Sequence, residues 1–168
     1  YLFFLITLPS IVYSQSTTIG SGTFTSNAYG PMYTTTSVNS VSRFAYIYSS
    51  SLLGELEHGD SIWSVSFFKD NTDDLTGSNN LKIYIRPTSQ TDFGAGSLSW
   101  SSEISGLGFV KVYDNNPNSV MNGKRGFITF TFSSPYYWDT TLGQNFEILV
   151  EYTQPNTQTA QINWYYDN

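Results

Sequence analysis

The chain of 168 residues has no cysteine, a single histidine, and charged side chains at only 12 % of positions. Without thiols there is no disulfide frame, so a hydrophobic core and ladder hydrogen bonds must hold the fold. One histidine and no cysteine cannot supply a zinc site, which draws on several such ligands. A Ser-His-Asp triad would have to use His58, which sits in the turn-like run Glu57-His58-Gly59-Asp60. No Gly-x-Ser-x-Gly elbow accompanies it, so His58 reads as a solvated turn residue. Lys and Arg number seven and are scattered, against thirteen Asp and Glu, giving a net charge of −6. Binding to nucleic-acid phosphates or to an anionic membrane surface needs clustered cations and is disfavoured. Gly20-x-Gly22 and Gly94-x-Gly96 lack the helix that a phosphate-cradling loop requires. No 3.6-residue periodicity persists for three turns, and no repeat or linker divides the chain.

Long apolar runs are also scarce. Residues 1–12, Tyr-Leu-Phe-Phe-Leu-Ile-Thr-Leu-Pro-Ser-Ile-Val, carry no charge but fall short of the roughly 20 residues of a bilayer span. Val12 and Ser14 fit the −3 and −1 positions of a cleavage site before Gln15, as in a secretory signal peptide. No Met or basic stretch precedes the run, so a truncated signal peptide is expected over 1–14. The mature part, 15–168, is expected to be one secreted or cell-surface domain.

Aromatic residues are abundant, at 17 %, with thirteen Tyr and twelve Phe. Together with many Ser and Thr, they favour sheets. Residues 41–48 alternate, with Phe44, Tyr46 and Tyr48 on one face. Leu52, Leu53 and Leu56 suit a short helical turn near 51–57, with Ser50 or Ser51 as cap. In 61–69, Trp63, Val65 and Phe67 share one side, and Ile62 and Phe68 the other. In 81–86, Leu81, Ile83 and Ile85 point inward and Lys82, Tyr84 and Arg86 toward solvent, with Pro87 as the stop. Residues 91–105 read as loop with a helical turn anchored by Leu98 and Trp100. Val110 and Val112 share a face, as do Ile128, Phe130 and Phe132. The clearest strand, 145–153, alternates Phe146, Ile148, Val150 and Tyr152 with Glu147, Leu149 and Glu151. Ile162 and Trp164 close the chain. The expected fold is all-β, an antiparallel β-sandwich, jelly-roll-like, with about seven to nine strands.

Asp70, Asn71, Asp73 and Asp74 form the best metal candidate. Calcium takes six to eight hard oxygens, and these side chains could contribute several, although the spacing is not that of an EF-hand. The alternative is a solvated loop whose Asx side chains satisfy turn backbone. No other cofactor is indicated. Glycoside hydrolysis needs two carboxyls ~5 to ~9.5 Å apart, whereas Glu147 and Glu151, four residues apart on one strand, would stand ~13 Å apart on an exposed face. The aromatic runs Tyr136-Tyr137-Trp138-Asp139 and Trp164-Tyr165-Tyr166-Asp167 offer a different chemistry. Flat rings stack on sugar faces or partner proteins while their polar tips stay wet. Tyr136, Tyr137, Trp138, Trp164 and Tyr165 are the candidate ligand-binding residues. The competing reading is that such rings fill the core.

The order of segments resembles a β-sandwich module of secreted and cell-surface proteins of Bacteroidetes, often found in chains with a type IX secretion sorting domain. The entry Ile19-Gly20-Ser21-Gly22-Thr23 matches a Gly-x-Gly-Thr start, and Pro31-Met32-Tyr33 a Pro-x-Tyr. Tyr46 to Ser49 and then Gly54-Glu55-Leu56 match an aromatic strand and its turn. Gly59-Asp60-Ser61-Ile62-Trp63-Ser64-Val65-Ser66-Phe67 matches a Gly-x-x-Ile-x-x-Ile-x-Phe strand. Residues 81–86, then Thr88-Ser89-Gln90-Thr91-Asp92-Phe93 and Trp100, follow the middle of the pattern. Ile128-Thr129-Phe130 through Pro135-Tyr136-Tyr137, and then 145–152, follow its end. The family has one more strand after a Trp-Tyr-Tyr-Asp-like segment, so the domain is expected to lack its last strand. The resemblance covers nearly all of 17–168. It implies a non-catalytic sandwich appended to adhesins, proteases or glycan-active enzymes, with no ligand site to transfer.

The expected function is therefore a non-enzymatic adhesion or accessory binding module, attached to a longer parent chain and partnered by an extracellular glycan or surface protein. A fragment of a secreted glycan-active hydrolase and a structural spacer are the alternatives. A cleft with two close carboxylates would mark the hydrolase. A line of exposed rings would mark the binding module, and neither feature the spacer.

Overall fold

Strand β7 (Asn145–Gln154) sets the architecture. Its alternation sends Phe146, Ile148, Val150 and Tyr152 into the core, all buried. It lies between β2 (Ser40–Tyr48) and β4 (Asn80–Thr88), antiparallel to both and paired along its full length. A strand bonded on both sides leaves no backbone group to solvate, which suits so apolar a sequence. Beyond β4 lies β5 (Val110–Asn115), giving a four-stranded sheet in the order β2-β7-β4-β5. The facing sheet runs β1-β8-β3-β6, from β1 (Phe24–Ser26), β8 (Trp164–Tyr166), β3 (Ser61–Lys69) and β6 (Gly126–Tyr137). The structure, a computed structural model, describes residues 15–54 and 56–167. The expected leader, 1–14, lies outside the described residues.

β1 pairs with β8, β2 with β7, β3 with β6 and β4 with β5, all antiparallel. A long hairpin rolled onto itself gives this nesting, so the eight strands of the described residues form a jelly-roll β-sandwich. Its core interleaves Leu81, Ile83 and Ile85 of β4 with Ile128, Phe130 and Phe132 of β6, as the alternation requires. Two short helices lie in the connections, α1 (Trp100–Gly106) and α2 (Asn118–Met121). The helical turn expected near 51–57 is a 3-10 turn over Ser50–Leu52, capped by Ser49.

Several expectations fail for one reason: both faces of the β2-β7-β4-β5 sheet are covered. Segment 89–109 folds across its outer side, where Trp100 stacks on Arg43 and Phe109 on Arg86, with 5.5 and 4.7 Å from guanidinium carbon to ring centre. Tyr84, Arg86, Glu147 and Leu149, expected in solvent, are therefore buried. Pro87 does not stop β4, which runs on to Thr88. Register shifts account for the rest. One in β5 puts Val112 in the core and leaves Val110 exposed, and one in β3 parts Trp63 from Val65 and Phe67.

The Gly-x-Gly-Thr entry has a structural role. Asp167 accepts hydrogen bonds from the Ser21 and Thr23 backbone N–H groups at 2.8 and 3.2 Å, which hold its carboxyl below the usual range. Gly20 at φ +84° lies against that carboxylate, where a Cβ would come within 2.1 Å of an oxygen. The knot ties the start of the sandwich to its end across β1 and β8.

Glu147 is a carboxylate placed where an unpaired charge would be costly. It is fully buried and accepts from Arg86 Nε and Nη2 at 2.7 and 2.6 Å, while Arg86 Nη1 donates to the Leu107 carbonyl at 3.0 Å. Burial pushes its carboxyl above the usual range, and Arg86 pulls the other way. Removing one partner strands the other charge away from water. Glu147→Ala is therefore expected to lower unfolding free energy in urea by roughly 3–5 kcal/mol. The double replacement Arg86→Met with Glu147→Leu is expected to be far milder, and equal losses for the two would contradict the pairing.

Candidate functional site

Among the described residues, no segment comparable to 89–109 covers the outer face of the β1-β8-β3-β6 sheet. Val65, Phe67 and Lys69 of β3 face inward, so Ser64, Ser66 and Phe68 face out. On β6 the outward positions are Phe127, Thr129 and Thr131. The register sets Phe68 beside Phe127, Ser66 beside Thr129 and Ser64 beside Thr131. Like therefore stands next to like across the two strands. The Phe68 ring lies 5.1 Å from Phe127 and 5.0 Å from Tyr165 of β8, edge to face at 78° and 83°. Three rings thus form a row across three strands. The next rung is hydroxylic, with Ser66 Oγ 2.8 Å from Thr129 Oγ1. Phe127 is 59 % exposed; Trp63, at 59 %, and Tyr137, at 67 %, stand at the far end of β3 and β6. None of these residues is charged.

The five aromatic candidates separate on this frame. Tyr137 is exposed, and Tyr165 joins the row. Tyr136 is half-buried against the core. Trp138 and Trp164, each 1 % exposed, are core residues and cannot act as platforms. Trp138 packs edge to face on Phe146 at 5.5 Å, and its backbone exchanges hydrogen bonds with Gly59 and Asp60. Trp164 lies under Gly30, where a Cβ would meet the indole at 2.0 Å. Position decides between neighbours in sequence: on β8 Trp164 turns to the core and Tyr165 away from it, and after β6 Trp138 turns to the core while Tyr137 stays outside. Phe68, Phe127 and Trp63 were not singled out by the sequence. Their signal was the outward parity of Phe127 on β6, opposite the inward Ile128, Phe130 and Phe132.

The acidic loop has an occupant of its own. The buried Lys69 ammonium donates to the carbonyls of Asp73, Met121 and Lys124 at 2.6, 3.3 and 3.0 Å. Burial lowers its pKa, opposed by Asp74 and Asp73. Asp70 pairs with Arg125 at 2.8 Å. Asn71 donates to Asp73 at 2.9 Å and to the Gln161 carbonyl at 2.6 Å, and Asp74 accepts from the Gly123 N–H at 2.6 Å. Asp70 is thus held by Arg125, Asp73 by Asn71, and Asn71 and Asp74 by turn backbone. Among the described residues, no three His, Cys, Asp or Glu side chains are placed to hold a metal ion. These contacts are the ones the Asx-turn reading of Asp70, Asn71, Asp73 and Asp74 expects, with the Lys69 ammonium against the Asp73 carbonyl.

Other carboxylates are similarly engaged. Burial opposes the charge of Glu151, but hydrogen bonds from Lys82 and Arg43, at 3.0 and 2.9 Å, outweigh it and hold its carboxyl below the usual range. Glu147 and Glu151 therefore line no common cleft and do not form an exposed face. A shallow cleft of about 370 Å³ opens beside Arg86, Gln90, Leu107 and Leu142, but the Arg86 fork is already committed to Glu147, Leu107 and Gln90. His58 lies in an exposed turn, with its Nδ1 accepting from the Thr140 N–H at 3.3 Å and 3.4 Å from Asp139.

Chelation and substitution separate the two readings of the acidic loop. A chelator is expected to leave the melting temperature unchanged. Lys69→Met, which strands three carbonyls without a donor, is expected to lower stability in denaturant by about 2–4 kcal/mol. A melting temperature that falls on chelation would restore the calcium reading. Compared with family models, curated proteins and solved structures, the chain matches none.

Proposed function

We propose that this domain is a non-catalytic binding module of the cell exterior, which adheres to an uncharged polysaccharide through the outer face of the β1-β8-β3-β6 sheet. The observation that carries this reading is the row Tyr165-Phe68-Phe127 beside the hydroxyl rung Ser66–Thr129. Rings expose flat apolar faces that match the C–H faces of sugars, and hydroxyls one rung away match their polar edges. Phe127, Trp63 and Tyr137 are exposed on β3 and β6, and apolar surface left in water on a sheet face marks an interaction site. The ring row and hydroxyl rung carry no charge themselves, and Arg125, beside Tyr165, is paired with Asp70 at 2.8 Å, which suits a neutral ligand better than an anionic one. The apolar, uncharged run of 1–12 supports export, and the resemblance to surface modules of Bacteroidetes supports attachment to a longer chain.

Affinity electrophoresis or pull-down on neutral polysaccharides tests the reading. Phe127→Ala and Tyr137→Ala are each expected to weaken retention about ten-fold, equivalent to about 1.4 kcal/mol, with unchanged melting curves. Retention is expected to be insensitive to salt, because no ion pair forms. Undiminished retention in both variants would place any glycan contact elsewhere. Absence of retention on every neutral polysaccharide would favour the spacer.

A further inference from the structure

A sandwich of two four-stranded sheets has four edges, and three of them carry a device against edge pairing. β1 is only three residues long. Along β6 the pairing with β3 jumps from Thr131–Ser64 to Tyr136–Ile62, so 132–135 leave the ladder, with Pro135 among them. β5 is bulged at Val112 and carries Lys111 and Asp114, which pair with each other. β2 has none of these. All nine of its residues pair with β7 without a shift. It has no proline and one charge, Arg43, which Glu151 already holds at 2.9 Å. Among the described residues, the backbone of 41–48 makes no hydrogen bond on the side away from β7. Alternate N–H and C=O groups along that side therefore lack a partner in the monomer.

We infer that β2 is the dimerisation edge of this domain: two copies pair through it, antiparallel, about a two-fold axis at Phe44. The strand is suited to itself. An axis at Phe44 is the one that pairs all nine residues, since Ser40 then faces Tyr48 of the second copy. Val41 faces Ile47, Ser42 faces Tyr46, and Arg43 faces Ala45. Val41, 49 % exposed in the monomer, gains an aliphatic neighbour. An axis at Arg43 would instead oppose two guanidinium groups, which a sheet resists. The resulting contact is isologous and closes at two copies. It joins the two β2-β7-β4-β5 sheets into one of eight strands and leaves the aromatic face of each copy open.

The cysteine-free chain makes the register directly testable. In the proposed dimer the two Cα atoms at position 44 lie about 4.5–5.5 Å apart, within disulfide range. Those at position 48 lie about 27 Å apart. Sedimentation of the unmodified protein is expected to show a dimer that dissociates on dilution. Phe44→Cys is expected to crosslink at least ten times faster than Tyr48→Cys under mild oxidation. Val41→Lys, on an exposed position that tolerates the change in the monomer, is expected to weaken dimerisation about ten-fold without altering the monomer's melting curve, and it stands in if Phe44→Cys fails to fold. A protein that stays monomeric into the millimolar range would overturn the proposal. So would equal crosslinking at the two positions, or an undiminished dimer in Val41→Lys.

Discussion

Strand β7 carries the structure because it is sealed on four sides. Its two edges bond to β2 and β4. Its inner face fills the sandwich core, and its outer face lies under segment 89–109. A strand in that position can carry a charge only where an opposite charge is supplied within hydrogen-bond reach. That constraint explains Arg86 against Glu147, and Arg43 and Lys82 against Glu151. Three of the chain's seven cations are consumed in this way. Lys69 follows the same logic at the other sheet, where its ammonium gathers three carbonyls of the loops after β3 and α2.

The two outer faces then divide the labour. One sheet hides its Arg86–Glu147 pair beneath the crossing segment. The other leaves Phe127 and the Ser66–Thr129 hydroxyls exposed, with Phe68 and Tyr165 half-buried beside them. Burial of polar groups on the first sheet and exposure of apolar ones on the second are opposite departures from the usual rule. The first is satisfied internally by pairing. The second is not, and it directs the functional reading outward to a ligand.

Period-two alternation made the inner faces legible. The positions of Ile83, Phe130 and Val150 follow from it alone, because a one-residue slip would invert every side chain. The outer faces were not legible, because alternation says which residues share a side but not whether a distant segment covers that side. Arg86, Glu147 and Leu149 look solvent-facing until 89–109 is in place. Register shifts were equally hidden. Trp63 reads as continuous with Val65, yet the shift between Ile62 and Ser64 frees it. The candidate site was half visible for the same reason. Tyr137 and Tyr165 stand in conspicuous aromatic runs and reach the surface, whereas their neighbours Trp138 and Trp164 look alike in sequence but face the core. The acidic loop advertised a cation, and the sequence offered no hint that Lys69, on an inward strand position, would set its ammonium against the Asp73 carbonyl of that loop.

Native-state hydrogen exchange, read residue by residue, tests the central role of β7 most directly. Amides of residues 146–152 are expected to exchange only through global unfolding, with protection equal to the full stability and well above that of β1 and β5. Exchange of the β7 amides through local opening, at rates matching those edge strands, would contradict the account.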